Sequence, residues 1–331
     1  MTTDIQSMLE KTIKKNRAVG AAVGFIEQDQ LHFYCSGEKS AQDDVPISID
    51  TIFEIGSITK VFTTLLLIEM VQKGEANLDD PVENFFPSVR IPEFNGKKIT
   101  LRHLATHHSG LPGMPGNINP KDLMNPYAGY STEDLYRFLG RFTLKKTPGE
   151  QFVYSNLGMA LLGHILCLKM KKSYGRLTSD SILSPLSMVD TGADLTPNIR
   201  SRMSVGHHLG KMVKYWDVTE AFIGAVGFHS SIKDMTQFLA ANLGLLNPPV
   251  ADLLRRCHKH QYTSNSTEDI GLGWIISHIN DADVIWHDGI TGGFRSFIGF
   301  NPRTQNGIVV LSNSTKDWLN EFSFSILAPN S

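Results

Sequence analysis

Apolar residues recur at helical spacing over residues 3–16, at Ile5, Met8, Leu9 and Ile13, with charged positions between them. This predicts an amphipathic N-terminal helix. Residues 19–26 and 31–35 are instead short apolar runs of strand length, separated by Gln28-Asp29-Gln30, and predict a β-hairpin. Over residues 57–73 the apolar side chains point in nearly every helical direction, and Gly74 stands where such a helix would stop. A helix that is apolar on all faces must be buried. Its most apolar part, residues 61–71, is interrupted by Thr63, Thr64 and Glu69 and is too short to cross a bilayer.

From about residue 77 to 224 the pattern changes. Pro and Gly loops such as Pro112-Gly113-Met114-Pro115-Gly116 and Pro148-Gly149 separate short helical patterns at residues 134–139 and 157–170. A further helix is expected at 231–245. Strand-like runs then return at 284–287, 294–300 and 307–311, and the residues after Lys316 again read as helix. Strands at both ends of the chain predict one antiparallel sheet assembled from the two termini and flanked by helices, an α/β (α+β) sandwich. The expected organisation is one domain over 1–331. A mixed α/β lobe (about 1–76 and 225–331) encloses an inserted, mostly helical lobe (about 77–224).

Composition narrows the function. The 331 residues carry 31 basic and 33 acidic side chains, net −2, so there is no basic excess to neutralise phosphates and nucleic acid is excluded as a partner. With 41 % hydrophobic and 19 % charged residues the chain is expected to be globular. Three scattered cysteines make no disulfide framework. Cys35 and Cys167 are expected to be buried thiols. Cys257-His258-Lys259-His260 is expected to be a solvated helix end rather than a metal tract. The first residues lack the apolar centre of a secretory signal. The expected compartment is therefore the cytoplasm, or the periplasm or exterior if a signal has been removed.

Three constellations carry candidate chemistry. Ser57-Ile58-Thr59-Lys60 is a Ser-x-x-Lys tetrad. Positions three apart on a helix share a face, so the lysine can lie beside the hydroxyl and activate an otherwise poor nucleophile. Two further tetrads occur, Ser36–Lys39 and Ser230–Lys233, but only Ser57 follows a glycine and opens a long apolar helix that would bury its lysine and tune it. Tyr154-Ser155-Asn156 is the chain's one Tyr-x-Asn: a phenol able to pass protons and an amide able to hold a substrate carbonyl. His287-Asp288-Gly289-Ile290-Thr291-Gly292-Gly293 ends a predicted strand, where glycines would let a substrate pair as an added strand. Backbone N–H groups there and at Ser57 would form an oxyanion hole. His103 and His107, spaced i, i+4, lack the adjacent glutamate of a zinc protease helix and are expected to pack a helix–loop junction.

Together these segments resemble the serine β-lactamases and penicillin-binding proteins, most nearly the class C β-lactamases, the D-alanyl-D-alanine carboxypeptidases with a His-x-Gly motif, and related esterases. The likeness extends to Thr51-Ile52-Phe53-Glu54-Ile55-Gly56, Leu78-Asp79-Asp80-Pro81, Ile99-Thr100-Leu101-Arg102-His103-Leu104-Ala105-Thr106-His107-His108-Ser109-Gly110-Leu111-Pro112, Pro148-Gly149-Glu150 and Gly271-Leu272-Gly273-Trp274. It implies a β-lactamase/transpeptidase-like fold and a Ser57 acyl-enzyme. It implies Lys60 and Tyr154 as the proton-handling groups, with Tyr154 as base. Asn156, His287 and Gly289 would bind substrate, and the Ser57 and Ile290 N–H groups would form the oxyanion hole. No metal or organic cofactor is implied, and the partner is a small-molecule or peptide substrate. Histidine at 287 stands where class C enzymes carry lysine, which favours esters and D-amino-acid peptides over β-lactams; Arg295 is the candidate replacement cation. The alternative is a scaffold of the same fold acting by binding or self-assembly. The segments 110–130 and 205–225, which would shape the pocket, show no readable pattern, and oligomeric state is not encoded in any motif.

Overall fold

The computed structural model describes residues 4–280 and 282–329. Nine strands form one antiparallel sheet: β1 (Gly20–Glu27), β2 (Gln30–Ser40), β3 (Asp43–Pro46), β4 (Tyr262–Asn265), β5 (Glu268–Ile270), β6 (Ile275–Ile279), β7 (Ala282–Ile290), β8 (Arg295–Asn301) and β9 (Asn306–Ser312). Their order is β4-β5-β6-β7-β8-β9-β1-β2-β3. The two ends of the chain meet where β1 pairs β9, from Ala21 opposite Ser312 to Ile26 opposite Gly307. The predicted sheet built from both termini is thus present. The β1–β2 turn is the two residues Gln28 and Asp29, both at positive φ, the geometry of a tight hairpin.

The principal helices are α1 (Ile5–Asn16), α2 (Thr59–Gln72), α3 (Thr132–Arg141), α4 (Asn156–Met170), α5 (Ile232–Asn242) and α6 (Leu319–Leu327). Thr3, the start of the predicted first helix, lies outside the described residues. Strand side chains alternate between faces. Ala21, Val23 and Phe25 pack with Ile5, Leu9 and Ile13 of α1 and Phe322 and Ile326 of α6. Ala22 and Ile26 join the core that contains α2 and α5. Both faces of the sheet are covered, so its central strands are apolar without a polar alternation.

Helix α2 lies at the centre of the larger core. Phe62 stacks on Phe238 with ring centroids 4.5 Å apart and meets Phe228 at 5.4 Å. The threonines that break its apolar run are bonded internally: Thr59 Oγ1 donates to Gly56 O at 2.7 Å, Thr63 Oγ1 to Gly224 O at 2.6 Å, and Thr64 Oγ1 to Leu272 O at 2.9 Å. They cost nothing in unmet hydrogen bonds and lock α2 to its neighbours.

Some expectations need correction. The helix begins at Thr59, and Gly56–Ile58 is a 3-10 turn. Cys257 and His258 are not a solvated helix end: Cys257 is buried, and the His258 ring meets Trp274 and Phe300 edge-on while bonding Asn242 at 2.8 Å. Cys35 and Cys167 are only partly buried. Strands β4–β6 were not foreseen. Deleting the Phe62 ring from its stack would leave a cavity in the densest part of the core. Phe62→Ala is expected to lower unfolding free energy by about 3–5 kcal/mol, read from urea denaturation followed by circular dichroism.

Candidate active site

The nucleophile candidate is placed by a glycine. Gly56 adopts φ +51°, and a Cβ on it would lie 2.9 Å from Ile290 O and 3.0 Å from Ile290 N. Only a residue without a side chain lets the 56–58 turn sit against the end of β7. Ser57 lies in this turn and Lys60 in the first turn of α2, three positions on and on the same face. Lys60 Nζ accordingly donates to Ser57 Oγ at 2.8 Å and to Ala225 O at 2.9 Å. Lys60 is 0 % exposed. Burial drives its pKa well below the ordinary lysine value, opposed by the nearby charge of Asp288.

Tyr154 completes this group. Its hydroxyl lies beside the Ser57 side chain, and Lys60 Nζ lies 5.0 Å from its ring centroid. As a residue it is 36 % exposed. Burial around the hydroxyl nevertheless raises the phenol well above its ordinary value, and the Ser57 side chain offsets this only in part. Asn156 opens α4 and donates from Nδ2 to Tyr127 Oη at 2.9 Å. Its buried Oδ1 has no partner among the described residues.

The third motif lies where the sheet register runs out. Strand β6 pairs β7 from Ala282 to Trp286, and β8 pairs it from Ile285 to Ile290. His287, Asp288, Gly289 and Ile290 therefore pair on one side only among the described residues. Gly289 is crowded by the nucleophile turn: a Cβ there would fall 2.1 Å from Ile55 O, 2.4 Å from Ser296 Oγ and 3.0 Å from Ser57 N. The backbones of Ser57 and Gly289–Ile290 are thereby neighbours, as the expected oxyanion hole requires, while the Ile290 side chain is 49 % exposed.

His287 is buried and its Nδ1–H donates to Asp288 O at 2.6 Å. Because that partner is a carbonyl, the neutral ring's lone pair is on Nε2. Burial and the Lys60 charge lower its pKa to about 4, with Asp288 opposing, so the ring is neutral at neutral pH. Arg295 is not brought to the group. Paired residues in the β7–β8 register share a face: His287 with Ile298 and Gly289 with Ser296 on one, Asp288 with Phe297 and Ile290 with Arg295 on the other. Ser296 Oγ donates to Ile55 O at 2.8 Å, on the face of the nucleophile turn. Arg295 Nη1 donates to Asp317 at 2.6 Å on the opposite face. Asp288, likewise turned away, accepts from Asn320 at 3.2 Å.

Two further residues adjoin these groups: His107, expected at a helix–loop junction, and Glu54, for which no role was expected. His107, at φ +62°, lies beyond the short helix Leu101–Ala105, so it shares no helix face with His103, which takes part in that helix's N-terminal capping box. Its carbonyl accepts from Val153 N at 2.8 Å and its Nδ1 from Ser155 N at 3.1 Å, and its ring lies 4.4 Å from that of Tyr154. It thus fixes the Tyr154 peptide from both sides. The second, Glu54, is a buried carboxyl bonded to Thr291 and Trp216. His107 does pack a helix–loop junction, and only the three-dimensional contacts show that it and Glu54 reach the residues around Ser57. The aromatic side chains of Phe86, Tyr127 and Tyr130 are buried in the core.

This arrangement of sheet and helices is found in known structures. The octameric penicillin-binding protein homologue from Pyrococcus abyssi superposes with TM-score 0.84 at 25 % identity, over 98 % of this chain and 77 % of that one. A class C beta lactamase from Rhodobacter sphaeroides shares the fold with TM-score 0.81 at 23 % identity, over 96 % and 95 % of the two chains. The chain belongs to the beta-lactamase family, whose sequence model matches residues 5–321. Protein flp of Staphylococcus aureus (strain N315) is 28 % identical over 339 residues, covering 96 % of this chain; the match spans 65 % of that relative's length. D-alanyl-D-alanine-carboxypeptidase/endopeptidase AmpH of Escherichia coli (strain K12) is 28 % identical over 310 residues, 89 % of this chain and 79 % of that protein.

Two outcomes follow from this geometry. Gly289→Ala must force Ile55 and Ser296 away from the strand end; it is expected to lower unfolding free energy by about 1–3 kcal/mol, read from urea denaturation. His287 has a folded pKa depressed to about 4 from 6.5. Its contribution to stability is complete above pH 6.5 and is lost as pH falls through 4, because the unfolded chain takes up the proton first. Urea unfolding between pH 7 and 4 should therefore show a shallower pH dependence in His287→Gln than in the parent protein.

Proposed function

We propose that the protein is a serine hydrolase that works through an acyl-enzyme on Ser57. The observation that carries this reading is the 2.8 Å contact between Ser57 Oγ and a wholly buried Lys60 Nζ. Burial weakens the hold of Lys60 on its proton, and once that proton is released the amine can take the one Oγ loses as it attacks a carbonyl. Tyr154, held as a neutral phenol, is better suited to hand a proton to the leaving group than to begin as the base. In deacylation the same pair activates water and returns the proton to Ser57. The Ser57 and Ile290 N–H groups would receive the oxyanion, and Asn156 and the free edge of residues 287–290 would align the substrate.

Substrate charge follows from His287 and Arg295. With the first neutral and the second engaged by Asp317 on the other face, neither supplies the fixed cation that a β-lactam carboxylate would seek. We favour short acyl esters first, then D-amino-acid peptides and last β-lactams. The name of AmpH supports the peptidase branch. The two-lobed division, with the site between a mixed lobe and a helical lobe, is part of the same proposal.

Intact-mass spectrometry over time with a small activated ester, a D-alanyl-D-alanine peptide and a penicillin tests the reading. At least one acyl adduct or turnover product is expected. Ser57→Ala should abolish it, and Tyr154→Phe should slow it by about 10²–10⁴. Full activity in Ser57→Ala would overturn the assignment. No reaction with any probe would favour the scaffold of the same fold.

A further inference from the structure

Glu54 is the last residue of a short strand, Ile52–Glu54, and stands three residues before Ser57. It is buried. Its two carboxyl oxygens face two different segments. Oε2 accepts from Thr291 Oγ1 at 2.6 Å, one residue beyond Ile290 at the end of β7. Oε1 accepts from the backbone N–H of Trp216 at 2.6 Å. Trp216 extends the connection: its Nε1 donates to Met124 O at 2.6 Å, and its ring lies edge-on to Tyr127 with centroids 5.0 Å apart. Tyr127 in turn accepts from Asn156 Nδ2. One side chain thus joins the nucleophile strand, the strand end at 290–291 and both segments, 110–130 and 205–225, that carry no sequence pattern.

We propose that Glu54 is a positioning residue that sets the registry between Ser57, the Ile290–Thr291 strand end and the Trp216 loop through its two hydrogen bonds. The proposal deepens the acyl-enzyme reading and rests on it for its kinetic consequence. The tether itself needs only two oriented polar atoms. Burial raises the carboxyl to about 7, and either protonation state serves. A protonated Glu54 accepts from Trp216 with one oxygen and donates to Thr291 with the other, since a threonine hydroxyl can accept as well as donate. Glutamine offers the same pair of atoms, one acceptor and one donor. Leucine offers neither, is close in size, and has room to adjust because a cavity of about 40 Å³ adjoins Glu54, Trp216 and Val226.

The experiment compares Glu54→Gln, Glu54→Leu and Thr291→Val in the full chain. It has two readouts: the acylation rate with a small activated ester, and the emission of Trp216 obtained by subtracting the spectrum of Trp216→Phe. Glu54→Gln should keep most of the rate and an unchanged Trp216 emission. Glu54→Leu, folded by circular dichroism, should lose about 10²-fold in rate, the consequence of an ångström-scale misplacement, with Trp216 emission shifted to the red. Thr291→Val should show a smaller loss in rate, and the double variant Glu54→Leu/Thr291→Val should be no slower than Glu54→Leu alone. A folded Glu54→Leu with parental rate and emission would overturn the proposal, as would a Glu54→Gln as impaired as Glu54→Leu. If Glu54→Leu does not fold, the decision passes to Thr291→Val and Glu54→Gln: parental rate in the first or severe loss in the second overturns the tether. If the parent protein reacts with no ester, the acyl-enzyme reading fails while the emission comparison still decides the tether.

Discussion

The structure is organised around one buried lysine. Moving an ammonium out of water is expensive unless it neutralises or finds partners. Lys60 has two: Ser57 Oγ and the carbonyl of Ala225. Meeting that requirement dictates much of the surrounding architecture. The 3-10 turn at Gly56–Ile58 rotates Ser57 over Lys60. The short helix Ile223–Val226 presents Ala225 O from the other side. Thr63, one turn along α2, bonds Gly224 O next to it, so the helix that carries the lysine and the segment that satisfies it are joined twice. The low dielectric that makes the lysine costly also lowers its pKa, which is the property a serine activator needs.

The sheet supplies the second constraint. A nine-stranded antiparallel sheet covered on both faces has few places where backbone remains available to a ligand. Here one arises inside the sheet rather than at its rim, because β6 stops pairing at Trp286 while β7 continues to Ile290. The nucleophile turn packs against that free stretch through Gly56 and Gly289. A substrate backbone laid along residues 287–290 would therefore reach Ser57 without crossing any side chain larger than hydrogen at 289. On the acyl-enzyme reading this explains why the motif ends in glycine, and it holds for esters and peptides alike.

How much of this was legible beforehand depended on the range of the interaction. The hairpin at 20–40, the helices at 59–72 and 156–170 and the C-terminal strands follow from local periodicity, and the antiparallel sheet of both termini followed from their order. Ser57, Lys60 and Tyr154 were singled out because their residue types sit at chemically suggestive spacings, and the structure brings the three together. Glu54 was given no role and His107 only a packing one, since both act through partners distant in the chain. Arg295 shows the opposite failure. Its position eight residues beyond His287 suggested a shared site, but strand parity places it on the other face beside Asp317. Cys257-His258 misled for a related reason: polar by composition, it is enclosed by Trp274, Phe300 and Asn242, which come from distant elements.

Strand parity also bears on how the site could have changed its chemistry. The face of β7 towards Ser57 carries residue 287, and the face towards α6 carries residue 288. A charge at 287 would sit beside Lys60 in the same low-dielectric volume, and each cation would make the other harder to protonate. A neutral histidine there relieves Lys60 of a competitor, and its Nδ1–H is already committed to the Asp288 carbonyl. Asp288 acts on both from the back of the sheet: its charge favours the protonated forms of Lys60 and His287 while its carboxylate accepts from Asn320. Relative to a cation at 287, the neutral histidine and the acid at 288 both favour the protonated form of Lys60, against the burial that disfavours it. The balance leaves the protonation of the groups near Ser57 set mainly by burial; on the acyl-enzyme reading, preference among substrates would then rest on shape and backbone pairing rather than on a fixed positive charge.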